Sequence, residues 1–376
     1  MREATATIDL AAIARNLERV RTLAPGRKVL AVVKADGYGH GLERVAGALR
    51  AADAYGVAGI DDAVRLREQE QRCGWAPKRI VLLSGFDEAA DLKLLRELRL
   101  DSVIHDDSQL DLLAADRGPR RHRLWIKLDT GMHRLGFAAS RAAELLERLR
   151  TLPTVDPQPI WMSHFASADI ADSALTAAQQ ARFAVALEGL PGERSLANSA
   201  ALLRHPAAHA DWVRPGGVLY GLSSIDGHSG PDLGFEPAMT LSSRLIAVKH
   251  IAAGESIGYG ESFRCDRDMR IGIASIGYGD GYPRHASGTG AQVLVDGHPV
   301  HILGRVSMDL TCVDLSAVPT AEVGTPVVLW GPQLPAERIA DRASTISYEL
   351  TCGITRRVKV REIGATAADL SRLALG

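Results

Sequence analysis

Apolar residues recur at two different spacings along the first half of this chain. In "TIDLAAIARNLERV", Leu10, Ile13, Ala14 and Leu17 fall at i, i+3, i+4 and i+7, which places them on one helical face. Asp9 immediately precedes them, a short acceptor suited to the free amides of a first turn, so the helix is predicted to start there. Beyond it, short apolar runs alternate with longer helical patterns. Strands are predicted at 29–33, 55–59, 80–83, 101–104, 123–128, 159–163, 194–197 and 211–214, with helical stretches such as 87–99 and 139–150 between them. Eight strands interleaved with helices over about two hundred residues suggest a (β/α)8 barrel rather than an open sheet. The closing unit is the weakest, because 198–210 is short and poorly periodic.

After about residue 235 the texture changes. "MTLSSRLIAVKHI", "MRIGIASIGYG" and "TPVVLWG" are β-rich segments separated by glycine. "VLVDGHPVHIL" sets Asp-Gly between two alternating runs, a strong hairpin signal. The fold class expected is therefore α/β: a TIM-like barrel over 1–235 followed by a mostly-β domain over 236–376.

Charge and composition narrow the function classes. Lys and Arg number 44 against 45 Asp and Glu, a net charge of −1. No basic surplus exists to neutralise phosphates, so neither nucleic acid nor an anionic membrane is an expected partner. "MREATATIDL" carries no apolar stretch of the secretory kind, and no apolar run is long enough to span a bilayer. Cys73, Cys265, Cys312 and Cys352 are scattered, without a C-x-x-C pair, which fits free thiols in a reducing cytoplasm. His205 and His209 stand at i, i+4 but lack an acidic third ligand at a convincing spacing. They are expected to be surface or helix-cap residues, and no metal site is predicted.

The chemistry begins at "AVVKADGYGHG", residues 31–41, where a lysine separates an apolar run from a glycine-rich turn. A phosphate loop needs its glycines before the lysine and Ser or Thr after it, and Ala35 follows here. "GYGHG" also has the wrong spacing for a dinucleotide fingerprint. What remains is an amine held in a partly dry barrel mouth, where desolvation lowers its pKa and a neutral amine forms an imine with a carbonyl. Gly37 and Gly39 would let the backbone approach a ligand closely, and Tyr38 offers a hydroxyl. Barrel chemistry sits past the C-terminal ends of strands. There the chain places Lys34, then "KLDTGMHRLGF", "HFASAD", "ANSA" and "RPGG", five polar groups of residues aimed at one rim.

Those segments, with "DWVRPG", "SIGYGDGYPR", "GRVSMD" and "YELTCGI", resemble the alanine racemases in family order over nearly the whole chain. The resemblance implies a pyridoxal 5′-phosphate enzyme with a barrel and a β domain, working as a homodimer with shared active sites on a small amino acid. It implies that Lys34 holds the cofactor and serves as base on one face of the substrate Cα, and that Tyr278 from the partner subunit serves on the other. Racemisation takes a proton from one face of a planar carbanion and returns one to the opposite face, which one immobile base reaches poorly.

Further roles follow from the same resemblance. Arg214 would bond the pyridine nitrogen, and, being unable to give up its proton at ordinary pH, would leave that nitrogen unprotonated. His164 would pack beside the ring and link to Arg214. Tyr38, Asn198, Ser199 and Gly216 would hold the cofactor, chiefly at its phosphate. Lys127, carbamylated in many relatives, would fix Arg134, which reads the substrate carboxylate together with the Met308 amide. Asp169 and Arg305 would line the entrance. Arg356 stands where some relatives carry a tyrosine near the phosphate, which implies that contact is lost or becomes charged. Ser307 replaces a cysteine of some members. An amino-acid decarboxylase on the same barrel and a non-catalytic cofactor carrier are the alternatives; the "IGYGDGY" and "KLDTGMHRLG" contexts and the β domain speak for a racemase.

Overall fold

Asp9 ends the first strand, β1 (Thr5–Asp9), and accepts a hydrogen bond from the Ala12 amide at 3.0 Å, starting the helix Leu10–Leu23. That helix buries Leu10, Ile13 and Leu17 of the expected face together with Val20, while Ala14 is half-buried at its edge. The protein is described by a computed structural model over residues 3–119 and 121–364; part of the segment 236–376 expected to form the β domain, residues 365–376, lies outside the described residues.

The barrel strands follow: β2 (Lys28–Val32), β3 (Ala54–Val57), β4 (Arg79–Leu82), β5 (Leu100–Ile104), β6 (Leu124–Asp129) with the two-residue β7 (Phe137–Ala138) beside it, β8 (Ile160–Met162), β9 (Glu193–Ser195) and β10 (Trp212–Val213). All pair in parallel, in the order β10-β2-β3-β4-β5-β6-β8-β9. The ring is drawn together between β9 and β10 by Asp211 N–H to Arg194 O at 3.0 Å and Arg214 N–H to Ala197 O at 2.8 Å. Each predicted strand is present within one or two residues of its expected limits, the scatter usual at element ends.

Period two divides these strands into two faces. Leu30, Ala54, Val81, Val103, Trp125, Ile160, Met162 and Trp212 form one buried cluster that plugs the barrel interior. The Trp125 and Trp212 rings there meet edge-on at 5.2 Å, a pairing that contributes about 0.5–1.5 kcal/mol beyond its burial. Their neighbours Val29, Ala31, Ile80, Leu82, Leu124, Ile126 and Val213 join the larger core.

The second sheet contains β11 (Met239–Ile251), β14 (Met269–Ala274), β15 (Gln292–Val295), β16 (His298–Leu303), β17 (Thr311–Asp314), β18 (Pro326–Trp330) and β19 (Lys359–Ile363), while β12 (Ser256–Ile257) and β13 (Phe263–Arg264) make a separate hairpin. Val295 pairs with His298, so a two-residue turn joins β15 to β16, with Asp296 and Gly297 at φ of 48° and 79°, the double positive φ that Asp-Gly favours. β1 pairs antiparallel with β11 and parallel with β19, so the first strand of the chain completes the second sheet.

One expectation needs adjusting. His205 caps the helix Ser199–Arg204 at its C-terminus and His209 caps the short 3-10 turn Pro206–Ala208, but His209 is buried, its Nε2–H donating to Leu202 O at 2.9 Å. The turn after that helix folds His209 back onto it, so it is not a surface residue. The four cysteines are free, and among the described residues no helix is long and apolar enough to cross a membrane.

Candidate active site

The alternation that plugs the barrel also equips its mouth. Two residues beyond Trp125 comes Lys127, beyond Met162 His164, beyond Trp212 Arg214, and beyond the inward Leu30 come Val32 and then Lys34. Period two keeps these polar groups on the inner face, one layer above the apolar plug. They line a recess of about 690 Å³ together with Tyr38, Arg134, Asn198, Ser199, Gly216 and Tyr348. Nine of the sequence-predicted site residues therefore share one cavity.

Lys34 leaves the end of β2 into an unusual turn. Ala35, Asp36, Gly37, Tyr38 and Gly39 have φ of 52°, 53°, 63°, 55° and 78°, a left-handed helical turn. Each non-glycine residue in that region costs about 1–2 kcal/mol, so neighbours must hold the turn. Asp36 Oδ1 accepts from the Leu42 amide at 3.0 Å and from Arg65 at 2.7 Å. The glycines serve this geometry rather than a ligand. A Cβ on Gly37 would lie 2.9 Å from Val45 Cγ2, and one on Gly39 would lie 2.0 Å from Thr351 O. The expected close approach is therefore made by protein, which is a correction to the sequence reading.

Electrostatics in the recess are dominated by cations. Burial, then Arg134, lowers the Lys34 pKa, with Cys352 opposing. Burial, followed by Arg134, Arg214 and Lys34, pushes Lys127 down to about 8. Burial and the same cationic neighbours hold His164 well below its ordinary value, so its ring is neutral near pH 7. Arg214 is almost fully buried, and burial pushes it down to about 10, still charged at neutral pH. It donates to Ser195 Oγ at 2.7 Å, Ser163 O at 2.6 Å and Leu196 O at 3.2 Å, with His164 Nδ1 at a longer 3.4 Å. Those acceptors compensate the burial of its charge. Arg134 reaches the recess from a loop wound about Asp129, whose Oδ1 accepts from the amides of Gly131, Met132 and His133 at 2.9, 3.2 and 3.1 Å.

One corner is built for an anion. Gly216 N–H donates to Ser199 Oγ at 2.9 Å. A Cβ on Gly216 would fall 2.4 Å from the Tyr38 hydroxyl, and one on Gly217 would fall 2.2 Å from the Tyr348 ring. Two small hydroxyl or amide donors and two phenols thus converge where only glycine leaves room. Asn198 caps the following helix, accepting from Ala201 N–H at 2.9 Å. A phosphate fits this corner, and Arg214 suits an unprotonated ring nitrogen, so the residues present fit pyridoxal phosphate. Tyr348 was not singled out from the sequence, although "YELTCGI" contains it. Arg356 is exposed and outside the recess. It makes no charged contact there, and the aromatic wall comes from Tyr348, packed edge-on to Tyr38 at 5.5 Å.

The remaining predicted residues lie elsewhere. Asp169 lines an adjoining cavity of about 620 Å³ that shares Asn198 and Tyr348 with the first. Tyr278, Arg305 and Met308 belong to loops of the second sheet and do not line the Lys34 recess of their own chain. They are close to one another: Tyr278 N–H donates to Ser307 O at 3.0 Å, and Gly279 N–H to Met308 O at 2.8 Å. Tyr278 and Met308 are 40% and 52% exposed, unpaired with the groups they are meant to serve. Tyr259, in the earlier Ile-Gly-Tyr-Gly stretch, is 69% exposed on the turn between β12 and β13. A Cβ on the next residue, Gly260, would lie 3.0 Å from Arg305 Nη1.

Comparison with known proteins identifies the relationship. Residues 8–224 match the family model for the alanine racemase N-terminal domain, and residues 238–362 that for the C-terminal domain. An alanine racemase from Nitrosococcus oceani is 49% identical over 354 residues, 94% of this chain and 97% of that protein. The crystal structure of the biosynthetic alanine racemase from Pseudomonas aeruginosa superposes with a TM-score of 0.91 at 43% identity, covering 96% of this chain and all of that one. The alanine racemase from Bartonella henselae, solved with covalently bound pyridoxal phosphate, has a TM-score of 0.86 at 28% identity, covering 96% and 100%. With both domain models matched in order and relatives covered almost end to end, the chain belongs to the alanine racemase family of amino-acid isomerases.

Proposed function

We propose that this protein is a pyridoxal-phosphate-dependent racemase that interconverts L- and D-alanine by a two-base mechanism in a homodimer with shared active sites. The observation that carries this reading is Lys34, an amine of lowered pKa at the end of β2, facing a corner shaped for phosphate and a buried arginine. Bound through Lys34, the cofactor would delocalise the electron pair left on Cα when its proton is removed. The chain's own groups do the rest. Tyr38, Ser199 and Gly216 hold the phosphate, Arg214 bonds the ring nitrogen without protonating it, and His164 stays neutral beside it. Arg134 takes the substrate carboxylate, and Lys34 removes or returns the proton on its own face.

The opposite face needs a second base, and the exposed loops of the second sheet are suited to deliver it across a dimer axis. The sequence nominates the partner subunit's Tyr278. Tyr259 competes for the role on one observation: it is more exposed than Tyr278, and the next residue, Gly260, approaches Arg305. The partner's Met308 amide would accompany either tyrosine, with Arg305 and Asp169 toward the entrance. Exposed Leu135 and Ile346, at 41% and 61%, rim the recess and suit burial by a second copy. Lys127, with its pKa near 8, offers a neutral amine to carbon dioxide, and carbamylation would turn its repulsion of Arg134 into attraction. Free cysteines suit a cytoplasmic location.

The test is incubation with L-alanine in deuterated water, followed by chiral analysis and borohydride reduction of the enzyme. Cα-deuterated D-alanine and cofactor mass on the Lys34 peptide are expected. An amine with carbon dioxide, or an unmodified Lys34 in a cofactor-loaded sample, would overturn the reading.

A further inference from the structure

His40 closes the "GYGHG" stretch and has no part in the chemistry above. It is fully buried. Its Nδ1 lies 2.8 Å from Tyr38 O and 3.1 Å from Gly37 O. A carbonyl oxygen only accepts, so Nδ1 carries the proton and donates to both. Both carbonyls belong to the left-handed turn that runs from Ala35 to Gly39. Burial also pushes the imidazole pKa down to about 4, which leaves this single neutral form across the working pH range.

The His40 ring is part of a three-ring stack. Tyr220 lies between His40 and Tyr38, with centroids 4.7 Å and 4.9 Å away and planes tilted by 27° and 25°. Its hydroxyl donates to Val32 O at 3.0 Å, the last residue of β2. One buried side chain therefore touches the turn's carbonyls directly and, through Tyr220, reaches both the end of the strand and the Tyr38 ring. Asp36 and Arg65 hold the same turn from its outer side. His40 bonds it from within the core.

We propose that His40 is a positioning residue of the active site: its Nδ1–H bonds keep the Ala35–Gly39 turn left-handed, which aims Lys34 into the recess and the Tyr38 hydroxyl at Gly216. The proposal rests on the reading of Lys34 and Tyr38 as cofactor ligands, but the turn itself is observable without any cofactor. The substitutions H40F and H40N separate the two contributions of the side chain. Phenylalanine keeps the ring and its stack and removes the donor. Asparagine loses the ring but places an N–H close to the position of Nδ1.

Amide hydrogen exchange of Gly37, Gly39 and Gly41 is measured first, on cofactor-free protein, so that it stands even if the cofactor reading fails. Losing two neutral hydrogen bonds should speed it about tenfold or more in H40F, with H40N within a fewfold of wild type. On the full enzyme, H40F should release pyridoxal phosphate faster, change its bound absorption spectrum and lower kcat more than it raises KM. H40N should restore each in part. Wild-type exchange rates and spectrum in H40F would overturn the proposal. So would H40N as defective as H40F, because the ring and not the donor would then matter. If H40F fails to fold, the H40N exchange rates decide alone, and a tenfold increase there sinks the idea. A wild-type protein that takes up no pyridoxal phosphate would instead strike the parent reading and leave the exchange result standing.

Discussion

At the scale of single residues, the recess is notable for holding cations against each other. Arg134 acts on the protonation of Lys34, and Arg134, Arg214 and Lys34 on that of Lys127, while Glu349, the carboxylate of the recess lining, is exposed. For Lys127 the consequence is measurable. Its folded pKa is about 8 against an ordinary 10.5, so between those values the unfolded chain binds more protons and stability rises with pH. Below pH 8 the folded protein carries the full penalty. K127M, which removes the charge and keeps much of the volume, should therefore raise the thermal midpoint near pH 7 in carbon-dioxide-depleted buffer, by about 1–3 kcal/mol of stability. That advantage should shrink steadily from about pH 8 toward 10.5. An advantage independent of pH would mean that packing, not charge, is responsible. Resupplying bicarbonate should narrow the gap at pH 7 if Lys127 carbamylates.

At the scale of elements, the strands and the turn after β2 were legible to different degrees. Alternation places Lys127 on the face of Trp125 and Arg214 on the face of Trp212 with no tertiary information, which is why the barrel and the membership of its rim could be read from the chain. The glycines of residues 37–41 were visible, but their purpose was not. Nothing local reveals that Thr351, more than three hundred positions away, packs against Gly39. G39A and G26A make that distinction testable. Both glycines have φ near +75°, but a Cβ on Gly26 would meet nothing within 4 Å, whereas one on Gly39 meets a backbone carbonyl at 2.0 Å. G26A should cost about 1 kcal/mol from conformation alone. G39A should cost at least about 2 kcal/mol more and weaken cofactor retention, read by denaturant titration and absorbance. Equal losses in the two variants would show that the Thr351 contact yields easily.

At the scale of the whole molecule, one chain holds both halves of the proposed chemistry but does not bring them together. Lys34 lies in the barrel mouth, while Tyr259, Tyr278 and Met308 stand on exposed loops of the second sheet. Complementation measures the consequence. K34A is expected to be inactive alone, as is the phenylalanine variant of whichever tyrosine is the second base. After unfolding and refolding the two together, random pairing gives half heterodimers, each with one intact site. About a quarter of wild-type activity should return. Running K34A against Y259F and, separately, against Y278F identifies the base. No recovery in either mixture would mean that each site is built within a single chain.

What the sequence determined by itself is set by local rules: period two for the barrel strands and their inward groups, helical spacing and Asp9 for the first helix, Asp296-Gly297 for the hairpin. The order of the motifs also marked the family. Other features were decided only by tertiary structure, because they depend on segments far apart in the chain. β1 was drawn into the second sheet by β11 and β19. Tyr348 became the aromatic wall opposite Tyr38, a place not evident from "YELTCGI". His209 was folded inward, and His40 was stacked on Tyr220 beneath the lysine turn. A backbone period reports which way a side chain points. It does not report what the rest of the fold places in front of it.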